Sequence, residues 1–248
     1  MGDDLADARG AVEWGKTQIP VLSRRFGAWQ AANVQYVAKE TDPPSDVLAA
    51  VARAKEDLPP IFHAELGAII GSCRSALDLL GAALAARNSR SPSSKTYFPI
   101  FHSEQDMLDP MHGIQGKKWL SRAEAAIISS LCPYAGGNDT LWGLHQLDIL
   151  RKHKRLVATA IYPRIDYVLG QRVGFPDGMA QVALRNLKDE PVLFTYPRHG
   201  LRPKAQFSCD IVFDETGLQC VHLKPVFPIL NKFIEFVTDV IDGFDHHI

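Results

Sequence analysis

From residue 61 to 87 the apolar side chains recur at 3.6-residue spacing. Phe62, Leu66, Ile69, Ile70, Cys73, Leu77, Leu80 and Leu84 form one continuous stripe, which predicts a central core helix opened by Pro59 and Pro60, because proline suits a first helical turn. Residues 3–31 carry Leu5, Ala8, Val12, Ile19, Leu22, Phe26 and Trp29 at similar intervals, a first helix that Pro20 should kink or divide. Residues 33–39 read as a strand, TDPPS at 41–45 as a turn, and 47–54 as either its hairpin partner, the reading preferred, or a helix. Residues 88–116 contain Ser, Pro and the extended YFPIF at 97–101, a long connection that packs by its aromatics. Ser121 with Glu124 three residues on makes a capping box for a helix to 131, and CPYAGGNDT then supplies Asn138, Asp139 or Thr140 to cap a helix over 140–155.

After residue 156 the pattern turns to β-branched and aromatic runs. Strands are predicted at 156–162, 165–169, 181–186, 191–196 and 205–213, with a turn at 214–217. Residues 226–244, opened by Pro225 and Pro228, place Phe227, Leu230, Phe233, Ile234, Val237, Ile241 and Phe244 on one face, a helix that returns to the helical core. The predicted fold class is α+β: a single domain over 1–248, with a helical core from 1–155 and 224–248 and an antiparallel sheet over about 156–223. No repeat of solenoid period is present.

Composition narrows the classes. A chain of 248 residues, 46% hydrophobic and 22% charged, can bury one sizeable core, and a net charge of -1 gives no global field toward nucleic acid or membrane. The four cysteines form no CxxC or Cys/His zinc spacing, the first residues are acidic without an apolar signal core, and no uncharged run approaches ~20 residues. The expectation is a soluble cytoplasmic protein with reduced thiols, no membrane segment and no cofactor, with a homodimer left open. Cys73, on the apolar stripe, reads as core.

The candidate chemistry is a polar seam. At 100° per residue His63, Gly67, Arg74, Asp78 and Gly81 fall in one sector of the 61–87 helix, beside its stripe. On the following helix His145, Asp148, Lys152 and Arg155 fall in a sector flanked by Leu144 and Ile149, so they point inward. If the two helices pack together, Arg74 is expected to pair with Asp148 and Asp78 with Lys152 or Arg155, leaving His145 within reach of either carboxylate. Such a seam serves either as a buried ion-pair network that fixes helix register or as a catalytic or ligand site of pKa-shifted groups. The run RKHKR at 151–155 could present Arg151, Lys154 and Arg155 to RNA, or complement the negative end of a helix dipole. A metal could take His145, Asp148 and either Asp78 or Glu65, but the adjacent Lys152 and Arg155 oppose it. His246 and His247 read as a frayed tail.

RSALDLL at 74–80, YFPIF at 97–101, LCPY at 131–134 and LHQLDILRKHKRL at 144–156 together resemble a broad group of uncharacterised bacterial proteins, over about residues 60–160. Members of that group read RSALDHL and LxxIDKHRxL at the matching places. This chain keeps Arg74, Asp78, Lys152 and His153, with Leu79 for the histidine and Arg151 for the acid. The Arg-x4-His spacing in RSALDHL is similar to the motif of the helical HEPN ribonucleases, in which arginine and histidine act on RNA without metal. Leu79 breaks that spacing here, so the resemblance implies such a role only if His145 or His153 replaces the missing base and Arg74 stabilises the phosphorane. The function expected first is a non-enzymatic binding or interaction protein whose seam is structural. The alternative is a HEPN-like, metal-independent endoribonuclease.

Overall fold

The structure is a computed structural model that describes residues 4–40, 46–93, 96–153, 159–168, 171–172, 190, 192–199, 205–214 and 218–245. It is α+β. Three long helices, α1 (Ala6–Asn33), α2 (Pro60–Arg87) and α6 (Val226–Gly243), touch one another pairwise, and α5 (Asp139–His153) packs on α2 and α6. The apolar stripe of α2 sits in the middle: Leu66, Ile70, Cys73, Leu77, Leu80 and Leu84 are fully buried, each worth ~1.5–3 kcal/mol for the large aliphatic side chains. Burial pushes the Cys73 thiol up to about 12, as befits a core residue rather than a nucleophile.

By length and hydropathy alone α2 could cross a membrane, with a mean hydropathy of 1.4 over its most apolar window. Helices on several sides account for that apolarity, since 61% of the window is buried inside the protein. The far end of α2 also ties the chain ends together: Arg87 pairs with Asp4 and donates to the Phe244 carbonyl at 2.9 Å.

Pro20 does not divide α1, which runs unbroken through it. Pro20 and Lys16, whose carbonyl loses its helical partner there, both lie on the exposed side, so water can take up the unmet hydrogen bond. The Ser121–Glu124 capping box forms in full at the start of α4 (Arg122–Ser130). Of the three candidate caps for α5, Asn138 is the one used: its Oδ1 accepts from the Leu141 N–H at 3.0 Å.

Among the described residues the strands form two three-stranded sheets. The expected hairpin is present as β1 (Val34–Glu40) and β2 (Val47–Ala54), paired antiparallel from Val34↔Ala54 to Glu40↔Leu48. Its second strand also pairs with β5 (Val192–Pro197), so the sheet layer is not confined to 156–223: the hairpin supplies two strands of the order β1-β2-β5. The other sheet is β4-β3-β6, from β3 (Thr159–Val168), β4 (Gln171–Arg172) and β6 (Ala205–Phe213). The strands expected at 156–162 and 165–169 are one strand, bent by a register shift between Ile165 and Tyr167. Pro163 lies within this strand, opposite Cys209 of β6. The strand expected at 181–186, most of the turn at 214–217 and the His246–His247 tail lie outside the described residues.

The connection from 88 to 116 packs as expected through Phe98, which is fully buried. It also holds two short elements without a sequence signal strong enough to predict: α3 (Glu104–Leu108), capped by Ser103, and a 3-10 turn at Ile114–Gly116. Phe101 anchors the connection to the loop between α4 and α5, its N–H donating to the Pro133 carbonyl at 2.8 Å.

Candidate functional site

Arg74 lies on the buried side of α2 with 5% of its surface exposed. Its Nη2 pairs with Asp78 Oδ1 at 2.9 Å and donates to the Phe98 carbonyl at 3.1 Å, and the same Asp78 oxygen accepts the Phe98 N–H at 3.0 Å. Two side chains one helical turn apart therefore satisfy both backbone groups of Phe98 and clamp the YFPIF segment to the helix. Gly81 completes the seat. A Cβ there would lie 3.2 Å from the Phe98 nitrogen, so the glycine lets the segment approach α2 closely.

Asp148 is buried as well, 3% exposed. Its Oδ1 accepts from Arg151 Nε at 2.8 Å, and its Oδ2 meets Lys152 Nζ at 2.6 Å. The Arg151 side chain lies over α2, its aliphatic stem beside Gly67 and its guanidinium on Gly71, where a Cβ would overlap it. Arg151 is thus committed to the α2–α5 contact. Gly71 went unnoticed in the sequence because an isolated glycine in a helical pattern does not say which side chain crosses it. The distances give Gly71→Ala an expected sign. Helix propensity alone would stabilise by ~1 kcal/mol, but displacing Arg151 weakens a charge-assisted pair worth ~1.5–3 kcal/mol; urea denaturation should show a net loss of ~1 kcal/mol.

The expected cross-helix pairs Arg74–Asp148 and Asp78–Lys152 do not form as contacts. Residues four apart on one helix are already neighbours, so Arg74 takes Asp78 and Lys152 takes Asp148 without reaching across. The helices nonetheless meet along their ionisable edges: Arg74 feels the charge of Asp78 first and then Asp148, and Asp78 feels Lys152. Burial is the largest influence on both Arg74 and Asp78, drawing the guanidinium down and the carboxyl up, and their mutual attraction opposes both shifts.

His145 sits in the same seam. Its ring lies 6.0 Å from that of Trp142, which in turn stands edge-on to His102 at 5.7 Å. Burial first and then the charge of Arg74 lower its pKa to about 4; Asp148 pulls the other way, and His102 and Lys152 add lesser downward effects. It is therefore a neutral imidazole at pH 7. Two buried polar atoms here have no protein hydrogen-bond partner, Arg74 Nη1 and His145 Nδ1. His102 gave no signal in the sequence, being a lone histidine in an irregular segment.

This imidazole makes acid destabilisation predictable in sign. An unfolded histidine titrates near ~6.5, so between about pH 6.5 and about pH 4 the unfolded chain holds a proton that the folded chain refuses. Stability is full above that window and falls as pH drops through it, by ~2 kcal/mol after allowing for partial solvent screening. Urea unfolding at both ends of the window should show this loss in the wild type and its disappearance in His145→Phe.

His153 ends α5, and its side chain is outside the described residues, as are Lys154 and Arg155. Glu65 pairs with Arg25 of α1 rather than turning toward the seam. Among the described residues no three His, Cys, Asp or Glu side chains come together as a metal site would require. The chain matches no family model, no curated protein and no solved structure.

Proposed function

We propose that this chain is a soluble, cytoplasmic, non-enzymatic binding or interaction protein, a single domain whose polar seam fixes the register of α2, α5 and the YFPIF segment. The observation that carries this reading is the pairing of both seam carboxylates. Asp78 is held by Arg74 and the Phe98 N–H, and Asp148 by Arg151 and Lys152. Such groups are spent on structure, and buried pairs of this kind commonly serve register and specificity. The closing role of α6 belongs to the same picture, since it packs on α1, α2 and α5.

A second reading, a metal-independent endoribonuclease of the HEPN-like kind, draws on one observation: a neutral imidazole at His145 beside the buried guanidinium of Arg74. A neutral histidine can accept a proton from a ribose hydroxyl, and an arginine can stabilise a phosphorane. Incubation of the purified protein with total RNA, with and without EDTA, separates the two. The binding-protein reading expects intact RNA even at high protein concentration. Cleavage that survives EDTA and is lost in His145→Phe would replace it with the nuclease reading.

A further inference from the structure

We propose that the groove between α1 and α2 binds a small primary alkylammonium ion, its head on Glu65 and its chain in the hollow beside Trp14. The inference deepens the reading of the chain as a binding protein, on which it rests, by naming the chemistry of a ligand. The site is distinct from the polar seam. At 100° per residue Glu65 and Arg74, nine positions apart, lie on opposite sides of α2.

The two helices leave a hollow of about 110 Å³ between them. Its lining is mostly apolar: Leu22 and Ile69 are buried, Trp14 stands 45% exposed, and Ala68 joins them, while Gln18 and Glu65 supply the polar atoms. A concave apolar wall with few polar groups is the usual form of a small-molecule site. An apolar cavity of ~150 Å³ holds a benzene molecule, so this smaller hollow suits a chain of about four carbons.

The polar atoms select the head group. Among the described residues Glu65 is the only ionisable side chain that lines the hollow. Its Oε1 is held by Arg25, whose guanidinium lies over the Phe62 ring at 5.5 Å and is not part of the lining. Its Oε2 is covered and meets no hydrogen-bond donor. A carboxylate oxygen left so is costly, and a turn about the last bond of the side chain, which is broadly populated, brings it to a guest. Gln18 spends an amide N–H on Thr17 Oγ1 at 3.3 Å and has its carbonyl oxygen to offer. Both groups accept, so the guest must donate, and an ammonium donates three N–H groups. The Trp14 indole favours the same charge. Arg25, beside Glu65 and 44% exposed, sets the limit. It repels a second cation at the rim, so a free monoamine fits better than a diamine or a basic peptide.

The test is a titration of the full chain with n-butylammonium chloride against sodium chloride at matched ionic strength, read by tryptophan fluorescence and by thermal unfolding. A saturable fluorescence change with the amine alone is expected, lost in Trp14→Phe, together with a higher melting temperature. Glu65→Gln should weaken binding roughly tenfold, the worth of one charge-assisted hydrogen bond, and 1-butanol, with the same chain and no charge, should bind more weakly by at least that factor. Ala68→Leu should fill the hollow and abolish binding while the melting temperature without amine is unchanged. No saturable change, an equal response to sodium chloride, unchanged affinity in Glu65→Gln, or binding that survives Ala68→Leu would each overturn the site. Equal binding of Nα-acetyl-lysine amide would overturn the free amine in favour of a lysine side chain from another protein. Absence of binding leaves the binding-protein reading standing on its seam, whereas RNA cleavage by the same preparation overturns that reading whatever the amine does.

Discussion

Arg74→Ala is expected to lower folding stability by ~3–5 kcal/mol, the cost of removing one partner from a buried charge pair. Three losses combine. The Phe98 carbonyl loses its donor, Asp78 loses the cation that offsets its burial, and the space of a side chain only 5% exposed is left empty. Asp78 can turn partly to water, which keeps the figure from rising further. Against a typical total of ~5–15 kcal/mol, the melting temperature should fall by on the order of 10 °C, and urea denaturation gives the free energy directly. A residue serving only catalysis would leave both unchanged.

Phe98→Ala should have a similar effect, ~3–5 kcal/mol, for a different reason: a fully buried ring is lost from the core and a cavity replaces it. Because Arg74 and Asp78 hold the backbone of the same residue, the two substitutions should not add. In the double variant the combined loss should fall short of the sum by ~1 kcal/mol or more, since each alone already loosens the 97–101 segment. Full additivity would mean that the segment is held by its ring and not by the clamp.

Much of this architecture could be read from period and punctuation. The stripe from Phe62 to Leu84 is long and unbroken, so α2 was legible to within a residue, and the Ser121–Glu124 box marked the start of α4 because its chemistry is local. The partner of a strand is another matter. Nothing in 47–54 says that it pairs with 192–197 as well as with 34–40, because sheet order depends on contacts more than a hundred residues apart.

The site follows the same division. The sectors that put Arg74 and Asp78 on one helix edge, and His145, Asp148 and Lys152 on another, come from helical geometry, and the two edges do meet. Which partner each charge takes was not legible. Competition between a neighbour one turn away and one across an interface is decided by a few ångströms, and the local neighbour prevailed at both Asp78 and Asp148. The role of Phe98 was equally hidden, because YFPIF announces a buried aromatic but not that its backbone is what the arginine holds.

The central claim is that Arg74 and Asp78 fasten Phe98 to the core helix. Native-state hydrogen exchange at the Phe98 amide measures it most directly, because that N–H donates to Asp78 Oδ1 at 3.0 Å. If the clamp is structural, this amide exchanges only through openings nearly as costly as those of the buried middle of α2, and Asp78→Asn speeds it selectively. Exchange at the rate of a loose loop in the wild type, while α2 stays protected, would contradict it.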